Sequence, residues 1–479
     1  NRGVKVDIDN LSEVSRELHA LHVKLEFLFL RFLWEAFDLE FLNYRSSAQL
    51  KAFFYGELDE IDEGKKKSDS RHTLERAQRL AIGLKPVKIF DKGSKEYKSS
   101  MNREALEKLA SIPIVKHLIE IILELRDIDK KLQVLQTPLE EGRMHTSYQV
   151  AGTLTGRWSS NTSAFGSGTN LQNISDEMRR ILVPDEGKKV CQLDLAQAES
   201  KLVAYLALPW GRRYIDACLS GDLHTAVTKL IWPELFDRAN APDKEVAKRR
   251  FYRDFNYRDM AKRGGHGSNY GGSASILSQH LKIPRPTAEV FQDRYFKAFP
   301  EIKEWQNHVK VLLAKGEPIT TPLGRRCHFP GRSWDNDTIK SAIAYGPQST
   351  IGDALNLGFY QAWRKYDSIW GGSIEILLHI HDAIIFQYRP QDEDWIIPAV
   401  LESMKFPITI HGETCVIDLD PQVGWNCGKR KEFRDESTGE ITVENAFGLA
   451  DWSGKDTRAA PVKRSCMDRV LYDRYIPSK

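Results

Sequence analysis

The sequence predicts an α+β protein, with helices filling two long stretches and a few strands carrying conspicuous acidic residues. Three observations predict it. Apolar residues recur at helical spacing from the start of the chain, at Leu11, Val14, Leu18, Leu21 and Leu25. The run Val190-Cys-Gln-Leu-Asp-Leu reads as a strand that ends on a carboxylate. Ile374-Glu-Ile-Leu-Leu-His-Ile-His-Asp-Ala-Ile-Ile-Phe reads as two strands meeting at a short polar tip, the pattern of a hairpin.

Taken in order, Asn10 with Glu13 three residues on predicts a capping box that opens the first helix. The stretch 57–72 is strongly charged and reads as an exposed turn. A helix is expected over 102–111, broken at Pro113. A longer one follows, with Ile114, Leu118, Ile121, Ile122, Leu125, Ile128 and Leu132 on one side. Stripes of this kind face a core, so no chemistry is assigned to residues 1–145. After Pro138 the character changes: 153–170 is rich in Thr, Ser, Gly and Asn and predicts loop or short strand. Residues 211–315 read as mainly helical. From 431 onward the chain is polar and aperiodic, and reads as an appended tail.

With 479 residues the chain has room for about three domains. Its 41% apolar content can bury a core, which excludes a wholly disordered chain. The greasiest stretch, 25–37, is interrupted by Glu26, Arg31 and Glu35, so no membrane partner is expected. Net charge is only +3, so a nucleic-acid surface would have to be made by clustering cations rather than by abundance. Cys191, Cys218, Cys327, Cys415, Cys427 and Cys466 form no Cys-x-x-Cys pair. That argues against zinc sites and a disulfide framework, and for a reducing, cytoplasmic setting. The opening Asn-Arg-Gly-Val lacks both a signal segment and Met, and reads as a fragment or processed product.

Two aspartates end apolar runs: Asp194, in Gln-Leu-Asp-Leu-Ala-Gln-Ala-Glu, and Asp382, in His-Ile-His-Asp-Ala. Either alone is an ordinary turn or cap residue. Brought together they would repel, raising the pKa of one, unless divalent cations neutralised them. Oxygen ligands with few His or Cys nearby favour Mg²⁺, which takes one or two carboxylates plus substrate phosphates. The cations cluster at 244–263, where eight Lys and Arg face three acidic residues. Arg258, Lys262, His266 and Tyr270 are spaced four apart, so on a helix they drift only about 40° per step and share a face. Such a face could hold a triphosphate at one end and stack a base at the other. Gly264, Gly265 and Gly267 weaken a helix here, each by roughly 1 kcal/mol, so it would need tertiary support or be mobile.

These features come in a recognisable order. Thr155-Gly-Arg-Trp-Ser-Ser leads to Asn170-Leu-Gln-Asn-Ile and Arg179-Arg180. Then come Asp194-Leu-Ala-Gln-Ala-Glu199, Asp222-Leu-His224, Arg258-x3-Lys262-x7-Tyr270-Gly271, Leu323-Gly-Arg-Arg, Gln348-Ser-Thr and His381-Asp382. The series resembles the polymerase portion of family A DNA polymerases, the group of bacterial DNA polymerase I and many phage replicases. The resemblance spans roughly 150–390. It implies a right-hand fold with an antiparallel β palm, helical fingers and a helical thumb. The thumb and N-terminal helical region would take 1–145, the palm 146–210 and 336–430, the fingers 211–335, and a C-terminal extension 431–479. No convincing Asp-x-Glu proofreading motif appears, so no 3′–5′ exonuclease domain is expected.

The resemblance further implies template-directed DNA synthesis with two Mg²⁺ ions, for which Mn²⁺ can substitute. The ions would be held by Asp194, Asp382 and the backbone carbonyl of Leu195. His224, Arg258 and Lys262 would grip the incoming dNTP, and Lys262 would also act catalytically by protonating the pyrophosphate. Gln197, Glu199, His266 and Tyr270 would line the nucleotide, with Glu199 against the sugar 2′ position. Arg157, Asn173, Arg179, Gln348 and His381 would touch primer-template DNA, Arg157 and Gln348 through minor-groove acceptors common to every base pair. The motif flavour leans to phage genome replication in a host cytoplasm, with replisome partners such as a helicase-primase or a processivity factor. Three departures stand out: Ala383 where the family usually has Glu, His266 where it has Phe or Tyr, and the Gly264-Gly265 pair. The rival readings are a single-subunit RNA polymerase, against which Glu199 argues, and a non-catalytic DNA-binding accessory subunit, against which the retained aspartates argue.

Overall fold

The computed structural model describes residues 2–58, 71–91, 96–150, 152–163, 166–237, 239–253, 255–370, 372–434 and 440–461. Most of the charged turn expected at 57–72 lies outside them. The chain divides into two units, Val6–Glu140 and Asn1–Lys5 with Glu141–Lys479.

The first unit is built on helices α1 (Ile8–Phe37) and α2 (Lys116–Leu135). α1 begins earlier than the Asn10 capping box predicts. Asp7 is the cap, its carboxylate accepting from the Asn10 N–H at 3.1 Å, and Asn10 lies inside the helix. Asp caps as well as Asn does, and Asp7 directly precedes the first apolar residue of the helix. The apolar stripe of α2 is buried as its spacing requires, from Leu118 through Ile122 and Leu125 to Ile128. Ile114 falls before the helix and stays exposed. The core gathers Phe29 and Leu33 of α1 with Phe53, Phe54, Leu118 and Ile122. The helix expected over 102–111 spans Arg103–Leu109, capped by Asn102.

The second unit centres on five strands: β1 (Lys189–Leu195), β2 (Ile374–Ile380), β3 (Ala383–Tyr388), β4 (Leu419–Gly424) and β5 (Ala450–Asp451). They are arranged β2-β3-β1-β4-β5, and every neighbouring pair is antiparallel. Alternation along the strands sends Cys191, Leu193, Ile384 and Phe386 into a core shared with Leu355, Ile396, Ile397 and Val400. By the same alternation Asp194 stands on the opposite face. The same unit holds α3 (Ala198–Ala207), α4 (Leu223–Ile231), α5 (Tyr257–Asn269) and α6 (Asn336–Tyr366), of which α6 packs on the core face through Leu355.

Within α5 the glycines are places of close approach. A Cβ on Gly264 would come within 2.5 Å of the Phe291 ring, and one on Gly265 within 3.2 Å of Tyr295. Bare backbone lets both rings pack against the helix, and this contact supplies the tertiary support that the sequence alone left open.

The C-terminal extension expected at 431–479 carries short strands. Among its described residues, Lys431–Arg434 pairs with Ile441–Glu444, and β5 adds an edge strand to the main sheet. Short strands of two to four residues leave too little periodicity to read from sequence. The segment is pinned by a buried charge cluster. Lys189 Nζ lies 2.5 Å from Glu393 Oε2 and 2.9 Å from Asp456 Oδ2. Tyr388 Oη and Trp452 Nε1 also donate to Glu393. Burial opposes ionisation of Asp456, but Arg458 and Lys189 outweigh it and hold its carboxyl down to about 2.

Lys189→Met would leave the buried Glu393 without its cation and Asp456 with Arg458 alone, so unfolding of this unit should cost about 3 kcal/mol less, read from urea denaturation followed by circular dichroism. Because the Asp456 pKa is depressed, its contribution is present above pH 4 and lost as pH falls towards about 2. An unchanged midpoint in the Met variant would contradict the role given to Lys189.

Candidate active site

Strand pairing brings the two aspartates together. The register places Asp194 opposite Ala383 on one side and Asp420 on the other. Asp382 sits in the turn just before Ala383, where His381 adopts φ +49°. The backbone closes the contact: the Leu195 N–H donates to the Asp382 carbonyl at 3.2 Å. Carboxylates 188 positions apart in sequence thus share one end of one strand pair.

The turn is held from beneath. Tyr148 Oη donates to the His379 carbonyl at 3.0 Å and accepts from the His379 N–H at 2.9 Å. Gln172 donates to the same carbonyl at 3.2 Å, and Trp158 stacks on the His379 ring at 5.0 Å. Burial pushes His379 down to about 4, so it is a neutral ring at neutral pH. Tyr148, Trp158, Gln172 and His379 fix the turn, and the sequence assigned them no part. The aromatic and amide residues flanking the motifs were the available signal.

Both carboxyls are pushed above the usual range. For Asp194 the causes are crowding by protein and then the charge of Asp382, against which the field of Lys429 acts. For Asp382 burial leads, partly offset by Arg157. One Arg157 nitrogen lies 3.0 Å from Asp382 Oδ1 and 3.3 Å from Glu199 Oε1. It donates to Oδ2, which leaves Oδ1 buried without a hydrogen bond. Asp194 makes no ion pair among the described residues. Two close carboxylates, both resisting ionisation and one with an unsatisfied buried oxygen, fit a divalent cation. Among the described residues no group of three or more His, Cys, Asp or Glu side chains is arranged for a metal. The residues therefore fit a sparse centre of two carboxylates with a backbone oxygen such as that of Leu195. Ala383, directly beside Asp194, adds no carboxylate.

α5 approaches this end of the sheet through His266, late in the helix, beside Glu199. Arg258, in its first turn, donates to Asp222 at 2.9 Å, and Asp222 also caps α4 by accepting from Thr225. His224 follows in that first turn of α4. Burial, then Arg258 and Lys262, push it down to about 4. Lys262 is exposed. His266 lies two turns beyond Arg258, 3.2 Å from Glu199, and Tyr270 follows the last residue of the helix with its hydroxyl buried beside Glu199. The four-residue spacing thus does make one face. Gln197 precedes α3 in the left-handed conformation at φ +52°.

Other predicted DNA contacts fall in two groups. Arg157 packs across α6 at Gly352, one turn beyond Gln348, so these two lie together. His381 is exposed at the turn tip. Asn173 is exposed, while Arg179 is largely buried and paired with Asp176 at 3.2 Å, and neither touches the aspartates.

Since His224 is neutral at neutral pH, its ring resonances should titrate by NMR with a midpoint near 4. A midpoint near the ordinary 6.5 would contradict the crowding by Arg258 and Lys262.

Comparison with known proteins gives a consistent account. The chain is 27% identical to the thermostable DNA polymerase I of Thermus aquaticus over 71% of its own length and 40% of that protein's. It is 28% identical to DNA polymerase I of Helicobacter pylori over 64% of its length and 33% of the relative's. It thus spans less than half of these relatives. Its fold matches the POL domain of Pol1 from M. smegmatis, solved in complex with DNA primer-template and dNTP. The TM-score is 0.66 at 21% identity, covering 88% of this chain and 67% of that one. The predicted α+β right-hand architecture is therefore the fold observed. The profile described as DNA polymerase family A matches residues 10–427, and the chain belongs to that family.

Proposed function

We propose that the chain is a template-directed DNA polymerase that adds deoxynucleotides to a primer 3′ end. What supports this is the convergence of Asp194 and Asp382 at one strand end, linked through Arg157 and Glu199 to His266 of α5, the helix that also carries Arg258 and Lys262. Asp194, Asp382 and the Leu195 carbonyl would hold two Mg²⁺ ions. Bound there, these ions supply charge that favours ionisation of the primer hydroxyl and neutralises the leaving pyrophosphate.

The chain's own residues do the rest. Arg258 and Lys262 bind the triphosphate, and Asp222 fixes Arg258 in place for it. His224, uncharged, offers a hydrogen bond rather than a charge. Lys262 Nζ gives its proton to the pyrophosphate oxygen as the bond to the α-phosphate breaks. Tyr270 packs beside the templating pair and Glu199 stands at the sugar 2′ edge. Gln348 on α6 and Arg157, which packs across that helix, test base-pair geometry from the minor groove. In this scheme Val6–Glu140 acts as thumb, 211–335 as fingers, and the sheet as palm. A phage setting rests on the motif pattern alone, since the named relatives are bacterial. No helix among the described residues is long and apolar enough to cross a membrane.

Asp194→Ala and Asp382→Ala should each lower primer extension by roughly a thousandfold or more in a gel assay, with primer-template binding largely kept. Extension at the normal rate by either variant would refute the assignment. Glu199→Ala should raise ribonucleotide incorporation relative to deoxynucleotide by about tenfold in single-nucleotide kinetics. An unchanged sugar preference would remove Glu199 from the sugar edge.

A further inference from the structure

Glu199 is held from two sides. Its Oε1 lies 3.3 Å from the Arg157 guanidinium, and its Oε2 lies 3.2 Å from Nδ1 of His266. The His266 ring stands edge-on to Tyr270, with centroids 5.0 Å apart at 81°. Glu199 starts α3 and His266 belongs to α5, so the pair ties the nucleotide-facing helix to the carboxylate beside the sheet. Neither carboxylate oxygen is left free to turn.

We propose that His266 is a positioning residue for sugar selection, acting by holding Oε2 of Glu199. The inference rests on the polymerase reading above and deepens it. A ribose 2′-hydroxyl enclosed at this edge needs an acceptor. Held between Arg157 and His266, the carboxylate is not free to turn one of its remaining lone pairs towards that hydroxyl. A phenylalanine at 266 would pack on Tyr270 but could not hold Oε2. That oxygen would then be free to accept from the 2′-hydroxyl, and ribonucleotides would be tolerated better. Asparagine, whose amide nitrogen overlays the imidazole Nδ1, would keep the hold.

The test is the ratio of kcat/KM for a ribonucleotide to that for the matching deoxynucleotide, measured on one templating base. Both substrates are read on the same preparation, so partial misfolding cancels from the ratio. His266→Phe should raise the ratio about tenfold, and His266→Asn should leave it near that of the unaltered chain. In a Glu199→Ala background, His266→Phe should add nothing, because the group it acts through is gone. The inference is overturned if His266→Phe leaves the ratio unchanged, if Asn behaves as Phe does, or if the Phe effect persists without Glu199. An unaltered chain that adds no deoxynucleotide at all would instead overturn the polymerase reading, so the two failures are distinguishable.

Discussion

The site depends on one constraint: antiparallel pairing of β1 with β3 forces Asp194 and Asp382 to share a strand end. Neither carboxyl ionises freely there, because crowding withholds water and a like charge adds to it, that of Asp382 at Asp194 and that of Glu199 at Asp382. Hydrogen bonds of the ladder, not side-chain choice, impose the proximity. The turn cannot relax away, since Tyr148 and Gln172 hold the backbone of His379 just before it. Charge crowding of this kind persists only where the fold overdetermines it.

Around this pair the remaining charges form a connected series. Arg157 bridges Asp382 and Glu199, Glu199 meets His266, and two turns back along α5 Arg258 meets Asp222. Asp382, Glu199 and Asp222 therefore each have an arginine partner, while Asp194 has only the field of Lys429. Positive charge brought by a substrate's ions would be felt most at Asp194 and at the unsatisfied oxygen of Asp382. The glycines of α5 serve the same geometry by letting Phe291 and Tyr295 pack close and set the helix at its position.

Much of this was legible in the residues. The β2–β3 hairpin, the strand ending at Asp194 and the shared face of Arg258, Lys262 and His266 all follow from periods of two and four. What stayed hidden depended on contacts between distant segments. No pattern in 374–386 says which strand lies beside it, so the meeting of the aspartates required the family resemblance. Asp222 reads as a helix cap, and its second role on Arg258 appears only when α4 and α5 come together. The strand at 450–451 is too short to carry a period, and the buried Lys189 that anchors its neighbourhood looks in sequence like any surface lysine. The capping box at Asn10 fell three residues late, because Asp7 precedes the first apolar residue of the helix and caps it.

The most direct measurement is binding of Mn²⁺ alone to the full chain, followed by electron paramagnetic resonance, for the unaltered protein and for Asp194→Asn with Asp382→Asn. If the strand pairing builds a cation site from these two carboxylates, the unaltered chain binds Mn²⁺ and the doubly substituted chain loses that binding. Equal binding by the two proteins would contradict the account, because the carboxylates would then hold no ion between them.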